Sequence, residues 1–223
     1  MSNNKAVRLT ASEQIPTIME ELQTAADTLK EMGAGISVFG SARIKPDNPY
    51  YGIAQEVGRR LAEAGLTLIA GGGPGLMEAA NKGAYNAGGQ SIGLNIRLPH
   101  ETTNNPYQTQ SLQFEYFYSR KATFFMHSAA YIALPGGFGT LDELFEVLTL
   151  VQTRKIPPAP IVLIGTQFWS GLIEWIRAQL QTRELIGPRD VDLLILTDDL
   201  DIVMHHIHEC CVIPRAEPVL PVG

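Results

Sequence analysis

Short apolar runs alternate with helix-period segments along almost the whole chain, and three of the runs end in a glycine turn. Residues 36–39 read as a strand ending in Gly40-Ser41-Ala42-Arg43, and 66–70 as one ending in Gly71-Gly72-Gly73-Pro74-Gly75. Residues 131–134 read as a third, ending in Pro135-Gly136-Gly137-Phe138-Gly139-Thr140. Runs this short and this apolar suit strands covered on both faces, whereas Leu141, Leu144, Phe145 and Leu148 beyond the third turn recur at helical spacing. Alternation of this kind leaves few architectures: parallel strands, right-handed crossovers and helices on both faces. The sequence thus predicts a Rossmann-like, doubly wound α/β sheet in a single domain over 1–213. Its N-terminal extension is a helix at 12–32, and prolines leave a disordered tail at 214–223.

Further helices are expected at 50–64, 76–86, 120–128 with Ser119 as cap, 168–180 and 198–210. Further strands are expected at 90–94, 112–116, 160–164 and 193–196, with a polar loop over 97–110. In such a sheet every strand-to-helix turn falls on one carboxyl edge, where ligands bind. That rule gathers Arg43, the 71–75 turn, Arg120-Lys121 and the 136–143 stretch around one cleft.

A formal charge of −6 argues against a surface built for a long polyanion, so nucleic acid is not an expected partner. The two cysteines, Cys210 and Cys211, are adjacent, which suits neither a disulfide framework nor zinc-ligand spacing, and points to the reducing cytoplasm. No apolar stretch approaches bilayer length, so no membrane partner is expected either.

The 71–75 glycines resemble a dinucleotide fingerprint, but that reading wants an acidic residue after the next strand, and 91–97 holds none. The Gly-Lys-Ser/Thr close of a P-loop is absent as well. Thr140-Leu141-Asp142-Glu143 fits a capping box, which taken alone makes Glu143 a helix cap. Against that, Asp142, Glu143 and Glu146 place three carboxylates beside a turn suited to anions, with Arg120 or Lys121 to offset them. Arg120 and Lys121 open a helix, where the dipole disfavours cations, so an anionic neighbour is expected. His205, His206 and His208 read as a polar helix face rather than a metal site, and Trp169 and Trp175 as core.

These residues resemble the Lonely Guy family. Residues 135–143 match its PGGxGTxxE motif, Arg120-Lys121 stands where that family carries its arginine and lysine, and 40–43, 71–81 and 150–155 match as well. Together the motifs cover most of 36–165. The resemblance implies hydrolysis of the N-glycosidic bond of N6-modified adenosine 5′-monophosphates, or of AMP, to free base and ribose 5-phosphate. It implies Arg120 and Glu143 as the catalytic pair and Gly136, Gly137, Gly139 and Thr140 as the phosphate site. Gly40, Ser41, Arg43, Gly72, Gly73, Met77, Glu78 and Lys121 fall in or beside the matched motifs and are expected to line the substrate site. No metal or organic cofactor is implied, and members are usually dimers or larger homo-oligomers. A non-catalytic nucleotide sensor or molybdenum-cofactor-type carrier on the same fold is the alternative.

Overall fold

The computed structural model describes residues 10–98 and 104–212. The expected tail at 214–223 and part of the 97–110 loop lie outside these. The strands are β1 (Gly35–Phe39), β2 (Thr67–Ala70), β3 (Ser91–Ile96), β4 (Gln110–Phe114), β5 (Ser128–Ala133), β6 (Ile161–Leu163) and β7 (Leu194–Leu196). They form one seven-stranded sheet in the order β4-β3-β2-β1-β5-β6-β7. Every pairing is parallel. The helices are α1 (Ala11–Leu29), α2 (Pro49–Glu63), α3 (Leu76–Asn86), α4 (Phe117–His127), α5 (Phe138–Gln152), α6 (Thr166–Trp175) and α7 (Leu200–Val212).

Because successive side chains on a strand point to opposite faces, each strand feeds two cores. Ile36, Val38, Leu68, Ala70 and Ile132 pack with Ala54, Leu61, Leu76, Ala80 and Val203 of α2, α3 and α7. Phe39, Ile69, Tyr131 and Leu163 pack on the other face with Ala25, Leu29, Phe124, Leu144, Val147 and Trp169 of α1, α4, α5 and α6. The chain leaves the sheet centre at β1, winds outward through β2 to β4, and returns to place β5 on the other side of β1. The strand order reverses between β1 and β5, and the crevice beyond their carboxyl ends is the position where doubly wound sheets hold ligands.

Several local expectations need correction. The first helix stops at Leu29 rather than at 32, where a turn from Leu29 O to Met32 N–H leads to Gly33 at φ +70°. The helix expected at 120 begins at Phe117 with Tyr116 at its N-cap, so Ser119 lies inside the first turn and its hydroxyl is engaged by another helix. β4 spans Gln110–Phe114, two residues earlier than expected, because Ser111 and Gln113 face outward on an edge strand while Leu112 and Phe114 face the core. The helix expected over 168–180 is α6, which continues into a π-helical segment, Ile176–Gln181. Trp169 is core, its indole N–H donating to Ile164 O at 3.1 Å, but Trp175 is 51% exposed because it falls on the outer side of α6.

Candidate active site

The turn after β5 holds the exposed Gly137, Phe138 and Gly139 between the buried Pro135 and Thr140. Leu141 N–H closes the first bond of α5 onto Gly137 O at 3.0 Å, so the N–H groups before it have no acceptor one turn back. They join the positive end of the α5 dipole in facing the crevice edge, an arrangement that favours an anion. Gly136 permits the turn to close: a Cβ there meets Thr140 Oγ1 at 2.2 Å. Gly136→Ala is therefore expected to force the turn open and lower the melting temperature by several degrees, read from thermal melts.

The capping box expected at Thr140 and Glu143 does not form. Helix α5 starts at Phe138 with Gly137 as N-cap and no side-chain cap, so both residues sit inside the helix and Glu143 is released from that duty. Its carboxylate instead faces Arg120, with Nη1 to Oε1 3.9 Å and the side chains 7% and 13% exposed respectively. Burial pushes the Glu143 carboxyl up from 4.5 to about 7; Arg120 and Lys121 pull it down and Asp142 pushes it up.

Arg120 is held on the crevice side of β2 and β3. Its Nε donates to Leu94 O at 2.7 Å and its Nη2 to Gly71 O at 3.2 Å, while Phe117 and Phe124 lie against the guanidinium. Burial works against its charge and Glu143 supports it. A buried arginine keeps its proton, so the two carbonyl acceptors and the ring faces hold the charge in place, with Glu143 adding to them when ionised. Lys121 is engaged differently, at 2.9 Å from Asp142 and 2.6 Å from Glu146. Burial opposes its charge, but Glu146 and Asp142 more than offset that and hold its pKa above the ordinary value. The three carboxylates of α5 are thus divided, Glu143 to the arginine and the other two to the lysine.

The remaining predicted residues fall on the same edge with unequal roles. Ser41 joins three turns: its N–H donates to Pro135 O at 3.1 Å, its carbonyl accepts from Leu76 N–H at 2.9 Å, and its hydroxyl oxygen accepts from Arg43 N–H at 3.1 Å. Gly40 packs against Leu76, and Arg43 stands exposed. Met77 lies over Gly71 and Gly73. Glu78 accepts the Tyr51 hydroxyl at 2.8 Å, which ties it to α2. Gly72 adopts φ +73°, and a Cβ there meets Asn95 Oδ1 at 2.1 Å.

That contact belongs to a buried amide network which sequence reasoning missed. Gln108 Nε2 donates to Gly72 O at 3.0 Å, and Asn105 Nδ2 to Gly73 O at 3.1 Å and Asn81 Oδ1 at 3.0 Å. Asn95 Nδ2 donates to Gln108 Oε1 at 3.0 Å and Ser111 Oγ at 2.9 Å. The signal available was Asn95, an amide in the middle of an apolar strand. A cavity of about 400 Å³ between α2 and α3 is lined by Gln55, Arg59 and Asn86, and by neither Arg120 nor Glu143.

Comparison with known proteins bears on this arrangement. A family model described as "Possible lysine decarboxylase" matches residues 77–207. A cytokinin riboside 5′-monophosphate phosphoribohydrolase of Arabidopsis thaliana is 32% identical over 164 residues, covering 72% of this chain and 75% of the relative. One of Oryza sativa subsp. japonica is 38% identical over 131 residues, covering 57% of this chain and 53% of the relative. Among solved structures, the molybdenum cofactor carrier protein of Chlamydomonas reinhardtii superposes with a TM-score of 0.58 at 22% identity, over 80% of this chain and 98% of the carrier. At that identity the likeness speaks to the fold alone.

Proposed function

The chain belongs to the Lonely Guy family of cytokinin riboside 5′-monophosphate phosphoribohydrolases, and from that premise we propose that it hydrolyses the N-glycosidic bond of a nucleoside 5′-monophosphate. The products are the free base and ribose 5-phosphate, and the substrates are adenosine monophosphates, plain or N6-modified. The observation that carries the reading is the Glu143 carboxylate, 13% exposed and set 3.9 Å from the buried Arg120 beside the glycine turn that opens α5.

Breaking a ribosyl C–N bond builds positive charge on the sugar; a carboxylate beneath the ring stabilises that charge and takes a proton from the attacking water, while the base leaves with the electron pair and takes up a proton from water, so that one water is consumed overall. Glu143 has this role. Arg120 orients Glu143, since two of its nitrogens are already committed to Leu94 and Gly71 carbonyls. The turn from Gly136 to Thr140 takes the 5′-phosphate, so binding energy remote from the reacting bond positions it. The lysine of this site suits no decarboxylase role. A Schiff-base lysine must present a neutral amine, and Lys121 is held charged between two carboxylates. A carrier on the same fold needs the anion turn but not the buried carboxylate, which favours the hydrolase.

The protein is read as a homodimer or larger homo-oligomer. Phe138 is 93% exposed within the phosphate turn, and Tyr118 is 70% exposed at the head of α4, an apolar surface that a second copy covers. Phe138→Asp is expected to lower the mass measured by light scattering to that of one chain; an unchanged mass removes Phe138 from the interface. The substrate class is tested by incubating the protein with AMP and N6-isopentenyl-AMP and comparing the rates of base release, with mass spectrometry of the purified protein for a retained pterin. Base release supports the hydrolase; a retained pterin without release supports the carrier.

A further inference from the structure

We infer that α1, which precedes the stretch matched by the family model, is a brace for the arginine-bearing helix: Glu21 grips the entry and first turn of α4 from outside and so holds Arg120 in place against Glu143. The inference rests on the reading of Arg120 and Glu143 as the working pair. Helix α4 enters with Tyr116 at its N-cap, no side-chain cap and no acid in its first turn, although it carries Arg120 there and Lys121 just beyond. A helix start with unpaired N–H groups and two cations is unfavourable on both counts.

Glu21 answers both. Its Oε1 accepts the backbone N–H of Glu115 at 2.5 Å and its Oε2 accepts the hydroxyl of Ser119, a side chain with no exposed surface. Ser119 Oγ also lies 3.0 Å from Tyr116 O, and Ser119 O accepts the Thr123 hydroxyl at 2.8 Å, so the contact extends into the second turn of α4. Charge-assisted bonds of this type are the stronger ones, and the carboxylate offsets the helix dipole where Arg120 and Lys121 do not. Helix α1 is itself anchored, with Ala25 and Leu29 in the same core as Phe124 and Phe125 of α4. The residue next to Ser119 is Arg120, whose separation of 3.9 Å from Glu143 changes with any shift of the first turn of α4. Glu21 is thus a positioning residue, acting through Ser119 and the α4 backbone.

The test compares Glu21→Ala, Glu21→Gln, Ser119→Ala and the double variant Glu21→Ala/Ser119→Ala with wild type, on a nucleoside 5′-monophosphate that wild type cleaves. Glu21→Ala is expected to lower kcat about tenfold with KM within about twofold, since a small misplacement of a catalytic group costs rate more than binding. Glu21→Gln, which keeps the length and one acceptor but loses the charge, is expected to recover only part of the loss, and the double variant to be no slower than Glu21→Ala. A lower melting temperature with kcat unchanged in Glu21→Gln, Ser119→Ala and any folded Glu21→Ala overturns the inference and leaves α1 a stability element. Hydrogen exchange at the amides of residues 115–120 reads the brace without catalysis: faster exchange in the variants is expected, and exchange equal to wild type overturns it. Should wild type cleave no nucleotide, the hydrolase reading fails and this exchange alone decides the brace.

Discussion

Glu143→Gln is expected to lower kcat for nucleoside monophosphate hydrolysis by about 10²–10⁴-fold at pH 8, the usual range for loss of a positioned general base. The amide keeps the shape of the carboxyl and its place beside Arg120, so the loss reports charge and basicity rather than packing. Wild type should show the matching pH dependence. With the carboxyl at about 7, the working anion is a minority below neutrality and dominates above it, so kcat/KM should rise through about pH 7 and level off. An ordinary exposed glutamate would place that rise near 4.5 instead. A variant within threefold of wild type at pH 8 would remove Glu143 from the chemistry.

The same substitution is expected to stabilise the protein where it disables it. Folding raises the Glu143 carboxyl from 4.5 to about 7, so between those values the folded state holds a proton that the unfolded state has lost. Stability from this group is therefore fully present below about pH 4.5 and is lost as pH rises through 7. The rise corresponds to about 3 kcal/mol at pH 8, at 1.36 kcal/mol per pH unit. Glu143→Gln, neutral throughout, escapes that loss. Thermal melts should place it several degrees above wild type at pH 8 and level with wild type near pH 4.5. A gain at pH 8 with activity lost is the signature of a group kept charged for function at a cost to the fold. Equal melting temperatures at both pH values would mean the carboxyl is solvated and not raised.

The contrast between what could and could not be read from the sequence follows from the range of the interactions involved. The strands and the glycine turns were legible because burial on both faces and tight strand-to-helix turns are local demands, written in runs such as 66–75 and 131–140. The parallel sheet followed from alternation, and with it the gathering of Arg120 and Glu143 at one edge. Local pattern misled where a distant partner decides the outcome. Thr140 and Glu143 have capping-box spacing, yet the helix starts at Phe138 and hands Glu143 to Arg120. Ser119 looks like an N-cap, yet its hydroxyl goes to Glu21, 98 residues away. Lys121 fits a phosphate ligand by position, but two carboxylates on α5 occupy its ammonium. The amide network from Asn81 to Gln108 joins three separate segments and has no sequence period at all.

The most direct test of the account is chromatographic measurement of free base and ribose 5-phosphate from AMP, N6-isopentenyl-AMP and their unphosphorylated nucleosides, using wild type and Glu143→Gln at pH 8. The account predicts equimolar base and ribose 5-phosphate from at least one nucleotide, almost none from the nucleosides, and almost none from any substrate with the variant. Cleavage that ignores the 5′-phosphate, or equal rates with Glu143 present and replaced, would contradict it.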